Sequence, residues 1–393
     1  MPNKRHRTHE WGTPPWQITF RPARRATPGY VDFVVVGGGF SGLSAAAWLC
    51  KLAPAKSVLL LERGTLGDGS SGRTGGMALA ETAAGNLPGL GDVLRSYKRI
   101  LRALEVDAEV ALPGVWELSH KAGMRHSSIR WSDSGELRAV KKVPGGTVNP
   151  GKVVSGLARA AQSAGAQIVE HAELLGLELA RLKGQAEVQV EGQRNVLLKV
   201  RIRRRSKSVT KSIRARQVLL ATNAQSLALA DLASVTHPKL TMAIATAPLA
   251  RAQIQALGLA SRKPFYTVDL PYLWGRLQKN NAAIFGAGLV DPPSGHNLHK
   301  IDIRKGPAAE RLAWLESRVR QLHPALHNVR ITHRWGGPIL LTEGAKPVFR
   351  QHPHFPQVIL LAGFNGHGVA LAVHLGHWTA QVLAGRRSLP RWR

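Results

Sequence analysis

The sequence predicts an α/β protein: a parallel sheet flanked by helices, assembled from separated stretches, with an inserted second domain of mixed or antiparallel sheet and helices. Three observations lead there. Residues 31–49 read VDFVVVGGGFSGLSAAAWL, a β-branched run, a glycine turn and a helical pattern. SVLLLE at 57–62 then supplies a second buried strand and completes a βαβ unit, which implies parallel pairing through a right-handed crossover. Buried-strand patterns return much later, at QVLLATN (217–223) and QVILLAGF (357–364), after stretches of another character.

Taken in order, residues 1–29 are rich in Pro and Arg and read as an irregular basic arm. Strand 31–36 and a helix over Ser41–Leu52 follow, then strand 57–62 and a glycine-rich loop over 64–76. Helical patterns run through roughly 78–105. TVNPGKVVSGLARAAQSAGAQIVE (147–170) is a second helix-then-strand unit, its helix ended by Gly165. Charged alternation fills 176–216 and reads as strands, and PAAERLAWLESRVRQL (307–322) is an amphipathic helix. Strand 357–364 leads through a glycine turn to a helix ending near 384. The nucleotide domain therefore comprises 30–110, 150–235 and 331–393, and the second, substrate domain 111–149 and 236–330.

Composition excludes several classes. The chain has 393 residues, long enough for two domains, and is 44% hydrophobic with 40 glycines, unlike a disordered chain. Its single cysteine, Cys50, allows no intrachain disulfide and suits a reducing, cytoplasmic setting. The N-terminus lacks the apolar core of a secretory signal, and no window resembles a membrane span, so a soluble protein is expected. The 16 histidines form no convincing ligand set: Pro353 splits His352 from His354, and His374 and His377 sit three apart on a helix. Lys and Arg number 54 against 24 Asp and Glu, a net charge of +30. The basic residues cluster in NKRHR, RPARR and RIRRRSKSVTKSIRAR (201–216), so weak association with an anionic polymer or membrane surface is one expectation. The other is a solvated hairpin face.

Gly37, Gly39 and Gly42 form GxGxxG between strand and helix, the Rossmann-type dinucleotide turn. The first glycine permits the turn, the second lets the backbone approach a pyrophosphate, and the third lets helix and strand pack closely. The helix N-terminus offers free N–H groups to the phosphates. Glu62, closing the second strand, can accept hydrogen bonds from ribose hydroxyls and repels a 2′-phosphate, which leaves NAD or FAD. Two further glycine loops favour FAD. GDGSSGRTGGM (67–77) can form an anion nest to which Ser70, Ser71 and Arg73 add donors. GFNGHGVALAVHLG (363–376) points a helix N-terminus at its turn, where a reduced flavin carries negative charge.

With these motifs the chain resembles the FAD-dependent D-amino-acid-oxidase-like family of oxidoreductases from about residue 30 onward, and is most similar to its γ-glutamylputrescine oxidase-like branch. The resemblance rests on VVVGGGFSGL with Glu62, SSGRTGG, the 149–170 segment, VLLATNA (218–224), RWGGP (334–338) and GFNGHGVA. It implies Phe40, Ser41, Glu62 and Arg63 around the adenosine, with Leu174 at the adenine. It implies Ser71, Arg73, Thr74, Gly75 and Gly76 along the pyrophosphate and ring. Gly337, Asn365, Gly366, His367, Gly368 and Val369 would flank the isoalloxazine. The chain departs from the family at Thr74, commonly Asn, and at Glu343, commonly Asp. Relatives with covalent flavin use a late Cys or an early-loop His; Cys50 and Thr74 offer neither, so FAD is expected to be non-covalent.

The resemblance implies oxidation of a C–N bond in a small amine or amino acid, by hydride transfer to flavin N5, to an imine that hydrolyses. Electrons would pass to O2 or another acceptor. An amino-acid substrate needs a cation for its carboxylate. DLPYLWGRLQKNNAAIFGAG (269–288) nominates Arg276 for that, with Tyr272 and Trp274 as walls, while His367 could tune the ring or the amine. Lys279 is a weaker nomination for promoting oxygen reactivity. Two alternatives stand beside this reading: a flavin-dependent tRNA-modifying enzyme, and a nucleic-acid or anionic-surface binder with a vestigial fold.

Overall fold

A computed structural model describes residues 10–121, 128–179, 195–204 and 207–392. The NKRHR cluster lies outside these residues, as do parts of the 176–216 stretch. The chain begins with β1 (Tyr30–Val36), α1 (Phe40–Leu52) and β2 (Val58–Leu61), paired in parallel as the sequence predicts. β3 (Met77–Leu79), α2 (Val93–Ala103), β4 (Val115–Ser119), β5 (Arg130–Ser132), β6 (Glu136–Val143) and β7 (Gly145–Thr147) follow. Then come α3 (Pro150–Ser163), β8 (Gln167–Val169), β9 (Ala172–Leu179), β10 (Val196–Arg204) and β11 (Lys207–Leu220). The next stretch holds β12 (Thr236–Pro248), α4 (Arg251–Ala256), β13 (Phe265–Thr267), β14 (Leu273–Leu277), β15 (Ala282–Val290), α5 (Gly306–Gln321) and β16 (Ile331–Thr342). β17 (Val348–His352), β18 (Phe355–Ala362) and α6 (Gly368–Leu383) complete the chain.

One sheet runs β17-β18-β11-β1-β2-β8, and its β18-β11-β1-β2-β8 core is parallel. The continuous apolar run of β1 has a simple cause: both faces are buried. Phe33 and Val35 join the cluster formed with α1, α3 and α6, while Val34 and Val36 join the opposite cluster with Leu174, Val196 and Leu198. Each such side chain contributes about 1.5–3 kcal/mol on burial. A single charge at Val35, 0% exposed, would therefore undo the sheet–helix layer.

β9 and β10 extend β11 as an antiparallel ribbon. The described residues of the basic stretch, 201–204 and 207–216, are the solvated part of that ribbon: Ile202 and Ile213 face inward while Arg201 and Arg203 meet Glu173. Val209, which the alternation would turn inward, is 50% exposed.

The second sheet runs β16-β12-β15-β14-β13-β4-β6-β5, antiparallel except where β13 lies parallel to β4. α5 backs it through Leu312, Leu315 and Val319, the apolar stripe legible in the sequence. Two details differ from expectation. β16, grouped by its motif with the nucleotide domain, pairs with β12 throughout. The helical pattern at 78–105 yields a helix only over Val93–Ala103, because Gly85, Gly89 and Gly91 adopt positive φ and Pro88 interrupts the run. Asp92 caps that helix by accepting from the Arg95 N–H at 2.8 Å. Asn149 caps α3 in the same way, with Pro150 at its first position. No helix among the described residues is long and apolar enough to cross a membrane.

Candidate cofactor and substrate cavity

A cavity of about 1160 Å³ lies between the two sheets, larger than the ~300–1,000 Å³ of an ordinary ligand site. The turn between β1 and α1 forms one end. Gly37 has φ +113°, and a Cβ there would lie 2.5 Å from Ala221 O. A Cβ at Gly42 would lie 2.0 Å from Gly37 O, so only glycine lets α1 start this close to β1. The Phe40 N–H donates to Ser71 Oγ at 2.9 Å, tying the second glycine loop to the start of α1. Glu62 accepts from the Gly38 and Gly64 N–H groups, each at 2.7 Å. Burial pushes its carboxyl above the usual range, and those amide hydrogen bonds only partly oppose the shift.

Gly37, Gly39, Phe40, Ser41, Glu62, Arg63, Ser71, Arg73, Thr74, Gly75 and Leu174 all line this cavity. So do Gly337, Asn365, Gly366, His367, Gly368, Val369 and Tyr272. Gly42 and Gly76 stand just behind the wall as packing residues: a Cβ on Gly76 would meet Val148 O at 2.5 Å. At the far end, Asn365 fixes the last turn by donating to Thr342 Oγ1 and Gly363 O and accepting from the Thr342 N–H. His367 precedes α6, and burial holds its imidazole below the ordinary value, toward the neutral form. The first turn of α6 thus presents its amides at that end of the cavity.

Two expectations are corrected. Arg276 does not face the cavity; it is 7% exposed, and its Nε donates to Gly75 O at 2.5 Å. It shares a strand face with Tyr272 and Trp274, but the Gly75–Gly76 loop covers it. Burial lowers its guanidinium to about 10. Arg73 is no free phosphate donor either. Its Nη1 donates to Gly12 O at 2.9 Å and reaches Trp11 O and Gly336 O, its Nε donates to Asp68 O, and its Nη2 faces Asp68 Oδ1. The guanidinium bolts the N-terminal arm, the second glycine loop and β16 together. Ser70 is likewise engaged, donating to Pro338 O at 2.7 Å.

Other residues escaped sequence reasoning. Trp11 lines the cavity and stacks on His299 at 5.0 Å, and His299 meets Arg63 and Gln225. Trp16 donates to Gly72 O at 2.7 Å. Glu117 and Tyr266 line the opposite wall, joined by a 2.6 Å hydrogen bond from the tyrosine hydroxyl. The arm's tryptophans were a possible signal, since large aromatics in a polar lead-in seldom stay exposed; the Glu117–Tyr266 pair had none. Lys279 is 82% exposed and faces Glu109 outside the cavity. His352 and His374 meet the backbone carbonyls of Leu229 and Leu90, and His377 packs on Trp48.

A glycine cradle at a helix start, a carboxylate closing the next strand and a cavity roomy enough for a dinucleotide and a second molecule define a dinucleotide-binding protein of the oxidoreductase class. The family model for FAD-dependent oxidoreductases of the DAO type matches residues 32–382, and the chain belongs to that family. The chain is accordingly an enzyme, and its cofactor is FAD. It is similar to a probable oxidoreductase OrdL of Rhizobium meliloti (strain 1021), with 26% identity over 94% of this chain and 87% of the relative. It also matches the gamma-glutamylputrescine oxidoreductase of Escherichia coli (strain K12), at 23% identity over 90% of this chain and 84% of the relative. Among solved structures, glycine oxidase from Bacillus cereus ATCC 14579 shares the fold with a TM-score of 0.67 at 15% identity, covering 92% of this chain and 99% of that one. L-proline dehydrogenase from P. horikoshii does so with a TM-score of 0.66 at 18% identity, over 92% and 95%.

Proposed function

We propose that the protein oxidises the C–N bond of a small amine or amino acid to an imine that water hydrolyses. The observation that carries this reading is one cavity lined both by the dinucleotide turn and by the aromatic residues Tyr266, Tyr272, Trp274 and Trp335. Bound FAD would supply the two-electron acceptor, taking hydride at N5 from the carbon that bears nitrogen.

The chain's own residues have five tasks. Glu62 and Leu174 would hold the adenosine end, and Gly37–Ser41 with Ser71 would cradle the pyrophosphate. Thr74, Gly75, Gly337 and the 365–369 turn would flank the ring, where the α6 amides would favour negative charge. Trp274 and Tyr272 wall the substrate space; the Trp274 ring lies so close to Gly75 that a Cβ there would meet it at 2.1 Å. A neutral His367 would not repel a substrate ammonium and could accept a proton as the amine is deprotonated. FAD is held without a covalent bond in this reading: Cys50 is buried in α1 outside the cavity, its thiol pushed up to about 11 by burial.

The test is the visible spectrum of the purified protein under anaerobic addition of amines and amino acids. Bleaching of the flavin band by one panel member, and yellow supernatant after acid precipitation, are the expected results. A flavin that no amine or amino acid reduces would overturn the reading. Reoxidation by air, compared with reoxidation by a quinone, identifies the acceptor.

A further inference from the structure

The cavity's second wall is a row of residues running straight across the second sheet. Strand pairing sets Trp335 beside Ala243, Ala243 beside Gly286, Gly286 beside Trp274, Trp274 beside Tyr266, and Tyr266 beside Glu117. The small residues leave room for the indole of Trp274: a Cβ on Gly286 would come within 2.0 Å of it. Trp274 lies against the Gly75 loop, where the flavin ring is expected, and Glu117 stands two strands further out. At ~4.8 Å per strand, the carboxylate's strand is about 10 Å from that of the indole.

Glu117 brings a carboxylate to the lining of this cavity in a protein of net charge +30. Its Oε1 accepts from the Tyr266 hydroxyl at 2.6 Å, and its side chain is 18% exposed. The nearby cation, Lys141, is 4.0 Å from Oε2 and itself 66% exposed, a pair of little strength. Guanidinium groups are otherwise disposed. Arg276 lies behind Gly75, Arg73 is bound to backbone carbonyls, and Arg63 meets Gln225 and His299. Arg311 reaches the cavity beside Gly288, with its guanidinium 5.2 Å from the Trp314 ring.

We propose that the substrate carries a second cationic nitrogen, held by Glu117 and Tyr266 a short aliphatic chain away from the carbon that is oxidised. This rests on the C–N oxidation reading and narrows its substrate class to diamines and similarly dicationic amines. The carboxylate would not contact the reacting nitrogen, which must be neutral to lose hydride from its carbon. Glu117 is thus a specificity-determining residue, and Trp274 with Tyr272 lines the path of the chain between the two nitrogens.

The test uses the FAD-loaded, full-length protein titrated anaerobically with 1,4-diaminobutane, butylamine, norvaline and butyrate. Binding is read from the perturbation of the oxidised flavin spectrum and, where it occurs, from the concentration dependence of flavin reduction. Wild type should bind 1,4-diaminobutane at least tenfold more tightly than butylamine or norvaline. Glu117→Gln should remove that advantage, weakening the diamine about tenfold while changing butylamine less than twofold. Glu117→Asp and Tyr266→Phe should fall between, and Arg311→Ala should leave the ratio alone. The proposal is overturned if norvaline or butyrate binds wild type more tightly than the diamine, if Arg311→Ala rather than Glu117→Gln moves the ratio, or if no probe perturbs the flavin. Failure of every amine to reduce the flavin would instead overturn the C–N oxidation reading, because the spectral binding constants need no turnover.

Discussion

At Gly42 the sequence and the structure meet in one contact. A methyl group there would sit 2.0 Å from Gly37 O, inside the turn that the dinucleotide must approach. Gly42→Ala is therefore expected to cost about 2 kcal/mol or more by overpacking and to lower FAD content on purification; thermal unfolding and the flavin-to-protein absorbance ratio check both. This position was legible because glycine at a fixed spacing has a direct steric cause. Arg276 was not. Strand alternation sets it on the same face as Tyr272 and Trp274, but only the fold reveals that Gly75 and Gly76 lie over it. Parity along a strand is local information, whereas depth depends on a loop some 200 residues away, as the Arg276–Gly75 separation of 201 shows. The Glu117–Tyr266 pair, 149 residues apart, was hidden for the same reason.

Among elements, α6 couples the active end of the cavity to stability. Its middle turns carry His374 and His377, only 5% and 8% exposed, and burial first, then nearby Arg99 and Arg387, lowers both to about 4. The unfolded chain protonates these imidazoles near pH 6.5, before the native state does. Stability is thus fully present above about pH 6.5 and declines as pH falls toward 4, by up to roughly 3 kcal/mol per histidine. The melting temperature should be insensitive to these groups between pH 7 and 8 and drop below pH 6.5, and the His374→Gln/His377→Gln variant should show a shallower fall. An equally steep fall in that variant would assign acid sensitivity to other groups. The helix itself was readable from GHGVALAVHLG, since its apolar residues recur on every side as expected of a buried helix. The α2 region was misread because its apolar spacing imitated a helix across Gly85, Gly89 and Gly91, where turn chemistry prevails.

In the whole molecule, both sheets line one cavity, so a ligand spanning it joins them. FAD at about a hundredfold over its dissociation constant should add about 2.7 kcal/mol to unfolding. The expected result is a single, higher melting transition with FAD and a lower one after its removal, followed by calorimetry. A melting temperature indifferent to FAD would mean that the folded chain does not bind FAD in preference to the unfolded one. The parallel sheet was legible because its strands are buried on both faces and bounded by glycine turns. The order of the second sheet was not, since its pairing of β13 with β4 joins distant segments and leaves no periodic trace. The described residues of the basic 201–216 stretch form a solvated ribbon with Ile202 and Ile213 inward, while Val209, which alternation turned inward, is exposed.

The arm has a consequence for where this protein begins in any working sense. A chain trimmed to the matched family region, 32–382, would discard Trp11 and Trp16 along with two of the carbonyls that receive Arg73, those of Trp11 and Gly12. Gly72 O would lose its indole donor, Trp335 its edge-on neighbour, and Arg63 the aromatic stack that backs its histidine partner. Boundaries drawn by shared ancestry and boundaries drawn by mechanical closure thus fall in different places. The matched part describes the reaction class, while the lead-in clasps its second glycine loop and β16 through Trp11, Gly12 and Trp16.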